Sequence, residues 1–157
     1  MIDPLLGFID DELLRKAMRY CAYSERCQQD VRQKMFELKS SLQNTETIIA
    51  YLIRENFINE ERYAIAFAGG KFRISKWGKI KIRLALEQKN ISAYCISKAL
   101  KQIDNNDYKQ TIKKLAAAQS RKIKPSNPLR EKHLVSKALI SKGFEPDLVW
   151  EVLKQFD

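Results

Sequence analysis

With 157 residues, 45% of them hydrophobic and 31% charged, the chain can bury a core and has a globular rather than a disordered composition. Cys21, Cys27 and Cys95 form no Cys-x-x-Cys pair, and His133 is the only histidine, which argues against a metal site or a disulfide framework. The 29 basic and 19 acidic residues leave a net charge of +10, the pattern of a protein that meets nucleic acid or an acidic partner.

Residues 1–12 carry four acids and no base, and Gly7 interrupts their apolar stretch, which is not how a secretory signal reads. Leu13, Ala17 and Tyr20 then mark a first helix, with Asp10 as its N-cap. Val31 and Met35 stand four apart on a second. Ile48, Ile49 and Leu52 line a third, for which Thr45 is the expected cap, so the connection ahead of it reads as long. Asn59, followed by Glu60 and Glu61, opens a fourth helix through Tyr63, Ala64 and Phe67. The least charged stretch, Tyr63 to Gly70, is far shorter than the roughly 20 apolar residues a bilayer requires, so a soluble, cytoplasmic chain is expected.

From Phe72 to Leu86 the apolar residues alternate around Gly78 as a β-hairpin would. The i,i+4 pairs Ile80/Leu84 and Ile82/Leu86 favour a helix instead. Asn90 after Lys89 suits a left-handed helix end, and Ser92 a new N-cap. Asn106 is the expected cap of a helix through Tyr108, Ile112, Leu115 and Ala116. Lys124, Pro125, Ser126, Asn127 and Pro128 read as a loop. Val135 and Leu139 follow, then Gly143 at a left-handed stop, and Pro146 in the first turn of a last helix carrying Val149, Trp150, Val152 and Leu153.

Residues 82–104 align without a gap on residues 135–157, at an offset of 53, with seven of 23 pairs identical: Ala85/Ala138, Leu86/Leu139, Lys89/Lys142, Leu100/Leu153, Lys101/Lys154, Gln102/Gln155 and Asp104/Asp157. The Val31/Met35 pair and the helix after it form a fainter third copy. The chain is thus expected to be all-α, about nine helices in three tandem three-helix repeats: 1–58, 59–104 and 105–157. Stacked repeats bury their apolar stripes on one another and leave an extended face free.

Charge is unevenly shared among these repeats. Residues 1–61 hold eight basic and eleven acidic side chains, a net −3, and residues 62–157 the rest, a net +13. One basic group is Lys71, Arg73, Lys76, Lys79, Lys81, Arg83 and Lys89, opposed between Gly69 and Lys89 only by Glu87. A second includes Lys113, Lys114, Arg121, Lys122, Lys124, Arg130 and Lys132. These fourteen residues are the candidate binding surface, expected to form a basic face able to engage phosphates or acidic protein patches. Trp77 reads as closing the apolar end of its own repeat in preference to stacking on a base. No phosphate-binding Gly-rich loop, His-Glu-x-x-His or nucleophile elbow is present, so neither catalysis nor a cofactor is expected.

These residues carry a resemblance. Asn59, Glu60, Glu61, Arg62, Tyr63 and Ala64, then Arg73, Gly78, Ile82, Leu86, Lys89 and Ile91, resemble the middle repeat of the RecX family, an acidic start and an aromatic-Ala pair running to a Leu-x-x-Lys-Gly-Ile ending. Leu139, Lys142, Gly143 and Phe144 match its late Leu-x-x-Lys-Gly-Phe. In the first repeat Ser24 stands where the family usually has Arg, and Cys27 where it has Ser; Asn90 replaces Gly in the second. The resemblance implies a curved, elongated, monomeric array lying in the groove of a RecA filament on single- or double-stranded DNA. There it would regulate, chiefly by inhibition, homologous recombination, DNA repair and the SOS response. On charge alone, a general DNA-binding helical protein with no recombinase partner, or a pure protein scaffold, remains the competing reading.

Overall fold

The computed structural model describes residues 9–123 and 127–156, and all regular structure in them is helical. In chain order the helices are α1 (Asp11–Tyr23), α2 (Gln28–Glu37), α3 (Leu42–Arg54), α4 (Glu60–Arg73), α5 (Lys79–Gln88), α6 (Ala93–Lys101), α7 (Asn105–Lys122), α8 (Pro128–Ser141) and α9 (Pro146–Leu153), followed by a 3₁₀ turn at Lys154–Phe156. The segment that alternates like a hairpin is the end of α4, a turn and α5. Its alternation is resolved by burial: Ile82 and Leu86 point into the core, whereas Ile80 and Leu84 are 36% and 54% exposed.

Helix starts follow local chemistry. Asp10, Asn59 and Ser92 each accept a hydrogen bond from a backbone N–H in the first turn that follows. Two expected caps are displaced. Ser41, not Thr45, caps α3, accepting from the Asn44 N–H at 3.1 Å. Thr45 is buried one turn into the helix, its hydroxyl 3.0 Å from that of Ser40. The first turn of α3 is polar and its Leu42 is 80% exposed, so the apolar periodicity begins only after the helix has started. Likewise Asp104, not Asn106, caps α7, accepting from the Asp107 N–H at 2.9 Å. Of the expected loop, Lys124, Pro125 and Ser126 lie outside the described residues, whereas Asn127 caps α8 and Pro128 is its first residue.

These corrections make the first copy clearer. The connection after the middle helix of each repeat is the same four residues long: Leu38–Ser41, Lys89–Ser92 and Lys142–Glu145. Each has its second residue at positive φ, Lys39 at 60°, Asn90 at 59° and Gly143 at 98°. Each is closed by one equivalent bond, Ser40 N–H to Met35 C=O, Ile91 N–H to Leu86 C=O and Phe144 N–H to Leu139 C=O. Met35, Leu86 and Leu139 are all buried.

The three repeats are not joined equally. α1–α3 enclose one core, around Ala17, Val31, Met35, Ile48 and Leu52. α4–α9 share a single larger one that runs from Ala64 through Leu86 and Tyr108 to Phe144 and Val149, and among the described residues Cys27 is the one buried first-repeat residue that enters it.

Between the second and third repeats the backbone itself makes the joint. The N–H groups of Gly78 and Ile80 donate to the carbonyls of Lys142 (2.8 Å) and Gly143 (3.0 Å). The Lys79 N–H donates to the Tyr108 hydroxyl at 2.9 Å, and that hydroxyl donates to Glu145. The N-terminus of α5 thus has its unpaired donors satisfied by the C-terminal turn of α8, with the two helix dipoles in favourable sequence. Burial, with the Glu145 bond, pushes the Tyr108 phenol well above its ordinary range.

At the equivalent place between the first and second repeats, Cys27 and Asn90 stand where the other joint has Gly78 and Gly143, and side chains take over. Lys89 donates to Asp30 at 2.6 Å, Arg62 to Glu25 at 2.5 Å, and the Gln28 N–H to Glu60 at 3.0 Å. The Gln29 amide, turned to donate, reaches the carbonyls of Gln88 and Lys89 at 3.1 and 3.3 Å. Asp30 also accepts from the Cys27 N–H at 3.2 Å. Burial works against the Asp30 charge, but the Lys89 ammonium and the Cys27 N–H outweigh it and hold its carboxyl below the ordinary value of 3.8. A carboxyl depressed on folding contributes stability above its unfolded value and loses it as the pH falls through its folded value. Amide protection factors in α1–α3, corrected for the intrinsic pH dependence of exchange, should therefore fall on acidification before those in α7–α9 do, and Lys89→Met should produce the same ordering at pH 7.

Candidate functional site

The first basic group lies on α4, α5 and the turn between them. Ile74 and Ser75 form the turn after α4, Lys76 takes φ 57°, and the Trp77 backbone N–H donates back to the Lys71 carbonyl at 3.0 Å, bringing the residue beside Lys71. α5 then starts at Lys79. At 100° per residue, Ile82 and Leu86 face inward, Lys79 and Arg83 fall on one flank, and Lys81 falls on the other. The exposed Ile80 and Leu84 form the ridge between. The expected single basic face is thus two basic flanks separated by an apolar crest, because a two-residue spacing that aligns side chains on a strand spreads them on a helix.

On the first flank, Lys79, Arg83 and Lys101 line one cleft between α5 and α6, of about 410 Å³, together with Ser97 and Asn105. Among the described residues no carboxylate comes within ion-pair distance of these three cations, although Glu87 lies on the same cleft wall. The Lys79 ammonium sits 4.8 Å from the Tyr108 ring centre. Lys101 was not singled out by sequence, since its neighbours Asp104 and Asp107 neutralise the local charge. Its identity with Lys154 in the repeat alignment was the available signal, and only packing of α6 beside α5 gives it meaning.

On the other flank, the Lys81 ammonium lies 4.5 Å from the Trp77 ring centre and the Lys71 ammonium 4.7 Å from it. Trp77 is half-buried, edge-on to Phe67 at 6.5 Å between ring centres, and packs on the shared core as expected. Arg73 is exposed at the end of α4 with its guanidinium folded back over Gly69. Lys89 is occupied by Asp30 at the joint between the first two repeats.

The second basic group is dispersed. Lys113, Lys114 and Arg121 line a shallow depression between α7 and the C-terminal turn, with Val152, Gln155 and Phe156. Lys132 lines a different cleft with Ser120, Glu131, Val135 and Leu153. Lys122 and Arg130 are exposed at the end of α7 and the start of α8, and Lys124 lies outside the described residues. Among the described residues no cluster of His, Cys, Asp and Glu is arranged to hold a metal, and no helix is long and apolar enough to cross a membrane. Burial raises the thiols of Cys21, to about 11, and Cys27, so both stay protonated at neutral pH.

Comparison with known proteins places this geometry. Residues 59–100, which hold α4, α5 and most of α6, match the family model described as RecX, second three-helix domain. The "Regulatory protein RecX" of Clostridium acetobutylicum is 26% identical over 144 residues, covering 89% of this chain and 66% of that relative's own length. That of Salmonella typhimurium (strain LT2) is 25% identical over 154 residues, covering 92% and 91%. A crystal structure of regulatory protein RecX superposes with a TM-score of 0.83 at 25% identity, over 92% of this chain and 72% of that one. Over most of its length the chain is thus similar to RecX proteins, and its second three-helix unit matches their family model. The crystal structure of RecX from Lactobacillus salivarius, at 22% identity, has the same fold, with a TM-score of 0.82 over 92% of this chain and 94% of that one.

Two of this chain's three departures from the RecX pattern meet at one joint, while Ser24 lies at the C-cap of α1. Cys27 occupies the N-cap of α2, where a family Ser would accept a helix N–H, and Asn90 takes the left-handed position that Gly143 takes in the third repeat. Both sit where the first repeat meets the second, and Asp30 and Lys89 bridge the gap beside them.

Proposed function

We propose that this chain binds a RecA nucleoprotein filament and restrains its activity, acting as a non-enzymatic regulator in recombination and repair. The observation that carries this reading is the cleft of Lys79, Arg83 and Lys101, three cations on rigid helices that make no ion pair among the described residues. Its natural partner is a repeating polyanion, and the similarity to RecX proteins favours a recombinase filament as the polymer that presents one. The three-helix units 1–58, 59–104 and 105–157 act as successive contact modules of a monomer in the cytoplasm, with α5 at the centre. Bridging neighbouring subunits and DNA, the array hinders the subunit movements that accompany ATP turnover.

The test is DNA-dependent ATPase of preassembled RecA filaments titrated with the protein. The rate is expected to fall to a plateau. An unchanged rate at saturating concentration would overturn the proposal. The excess charge of residues 62–157 also suits a DNA-binding protein with no recombinase partner. That reading predicts equal affinity for bare and filament-coated strands, whereas the filament reading predicts tighter binding to the coated ones.

A further inference from the structure

We propose that Lys71, Trp77 and Lys81 form a discrete phosphodiester clamp, in which the indole is a positioning residue that holds two ammonium groups ready for consecutive phosphates of a nucleic-acid strand. The inference rests on the reading that the basic face meets DNA, and it names the ligand and the device on the flank of α5 opposite the cleft. Two like charges are gathered on one ring, 4.7 and 4.5 Å from its centre. Lys71 also lies 5.6 Å from the Phe67 ring centre. Among the described residues neither ammonium has a carboxylate within ion-pair distance.

An indole face attracts a cation through its quadrupole without neutralising it, so both lysines keep a full charge and outward N–H donors. The arrangement is anchored from below. The Trp77 main chain is held by its backbone N–H, which donates to the Lys71 carbonyl, and its ring packs edge-on to Phe67. Lys81 leaves α5 where its backbone and Cβ press on Gly143. A lysine free in solvent must be ordered on binding, at a cost that pre-ordering by the ring removes. Charges recurring every few ångströms along a strand suit two adjacent cations better than an isolated protein carboxylate does.

The test is binding of a fluorescein-labelled oligothymidylate to the full chain across a range of salt. Lys71→Gln/Lys81→Gln should weaken binding about tenfold or more at low salt and lower the slope of log affinity against log salt by about 1.4, or 0.7 per phosphate. Trp77→Leu should weaken binding about three- to tenfold with the slope unchanged, since the charges remain but their ordering is lost. Trp77→Phe, which keeps the packing, should fall between wild type and Trp77→Leu. A wild-type chain that ignores the oligonucleotide, or variants that match it in affinity and slope, would overturn the clamp. So would tryptophan variants that lower the melting temperature alone. If the double lysine variant still binds DNA normally but no longer restrains filament ATPase, the ammoniums meet protein carboxylates. The phosphodiester assignment then falls while the filament reading stands.

Discussion

Gly78→Ala should destabilise the protein by about 3–5 kcal/mol, at the severe end of single substitutions. A Cβ at Gly78 would lie 2.2 Å from the backbone of Gly143 and Phe144, and neither atom belongs to a side chain that can swing aside. To make room, the N-terminus of α5 must withdraw from the α8 turn, which breaks the bonds from Gly78 and Ile80 to the Lys142 and Gly143 carbonyls and leaves buried donors unpaired. At roughly 2–4 °C per kcal/mol for a chain of this size, the melting temperature should drop by about 10 °C. Gly70→Ala supplies the control. Nothing lies within 4 Å of its Cβ position and it sits inside α4, so Ala there should be neutral or stabilise by about 0.5–1 kcal/mol. Thermal melts of the two variants side by side decide the matter, and equal melting temperatures would refute the role given to the glycine joint.

Reversing charge at Lys79 and Arg83 together should weaken association with DNA-bound filaments about 30- to 100-fold at low salt, with correspondingly less inhibition of ATPase. Both side chains line the cleft beside Lys101, and among the described residues neither makes an ion pair that the change would break. The fold should tolerate the change. Lys79 is the first residue of α5, where Glu complements the helix dipole, and the bond to Tyr108 comes from its backbone N–H, which the substitution keeps. Arg83 is exposed. Fluorescence anisotropy across salt concentrations measures the effect: the difference between wild type and variant should shrink as salt rises, and a loss indifferent to salt would point to misfolding.

The architecture was legible because helix periodicity and cap chemistry are local. Ile82/Leu86 and Val135/Leu139 announced the repeat, and the same spacing at Val31/Met35 revealed the weakest copy. That copy was blurred where local signals conflict with tertiary ones: α3 opens with a polar turn and an exposed Leu42, and Lys39 holds a conformation usually given to Gly or Asn. The site was less legible. A run such as Lys79-Ile80-Lys81-Ile82-Arg83 shows its charge but not that a helix divides it between two flanks. Lys89 looked like its neighbours until Asp30, 59 residues away, was found beside it. Lys101 was concealed by nearby acids. For Lys89 and Lys101 the deciding partner is distant in sequence, where local patterns carry little signal, whereas the split along α5 follows from helix geometry.

The way α8, α5 and α2 meet has a consequence for how the molecule can be used. Each hands its carboxyl end to the amino end of the next, so the row has a direction and no internal two-fold axis. A recombinase filament is itself directional, with a start and a finish set by its DNA strand. On the filament reading, one directional array laid along another makes its contacts in a single orientation, since turning it end for end would exchange the near-neutral first repeat with the basic last one. The protein is therefore an arrow rather than a bead, and on the filament reading the way it points along the strand is a property written into the fold.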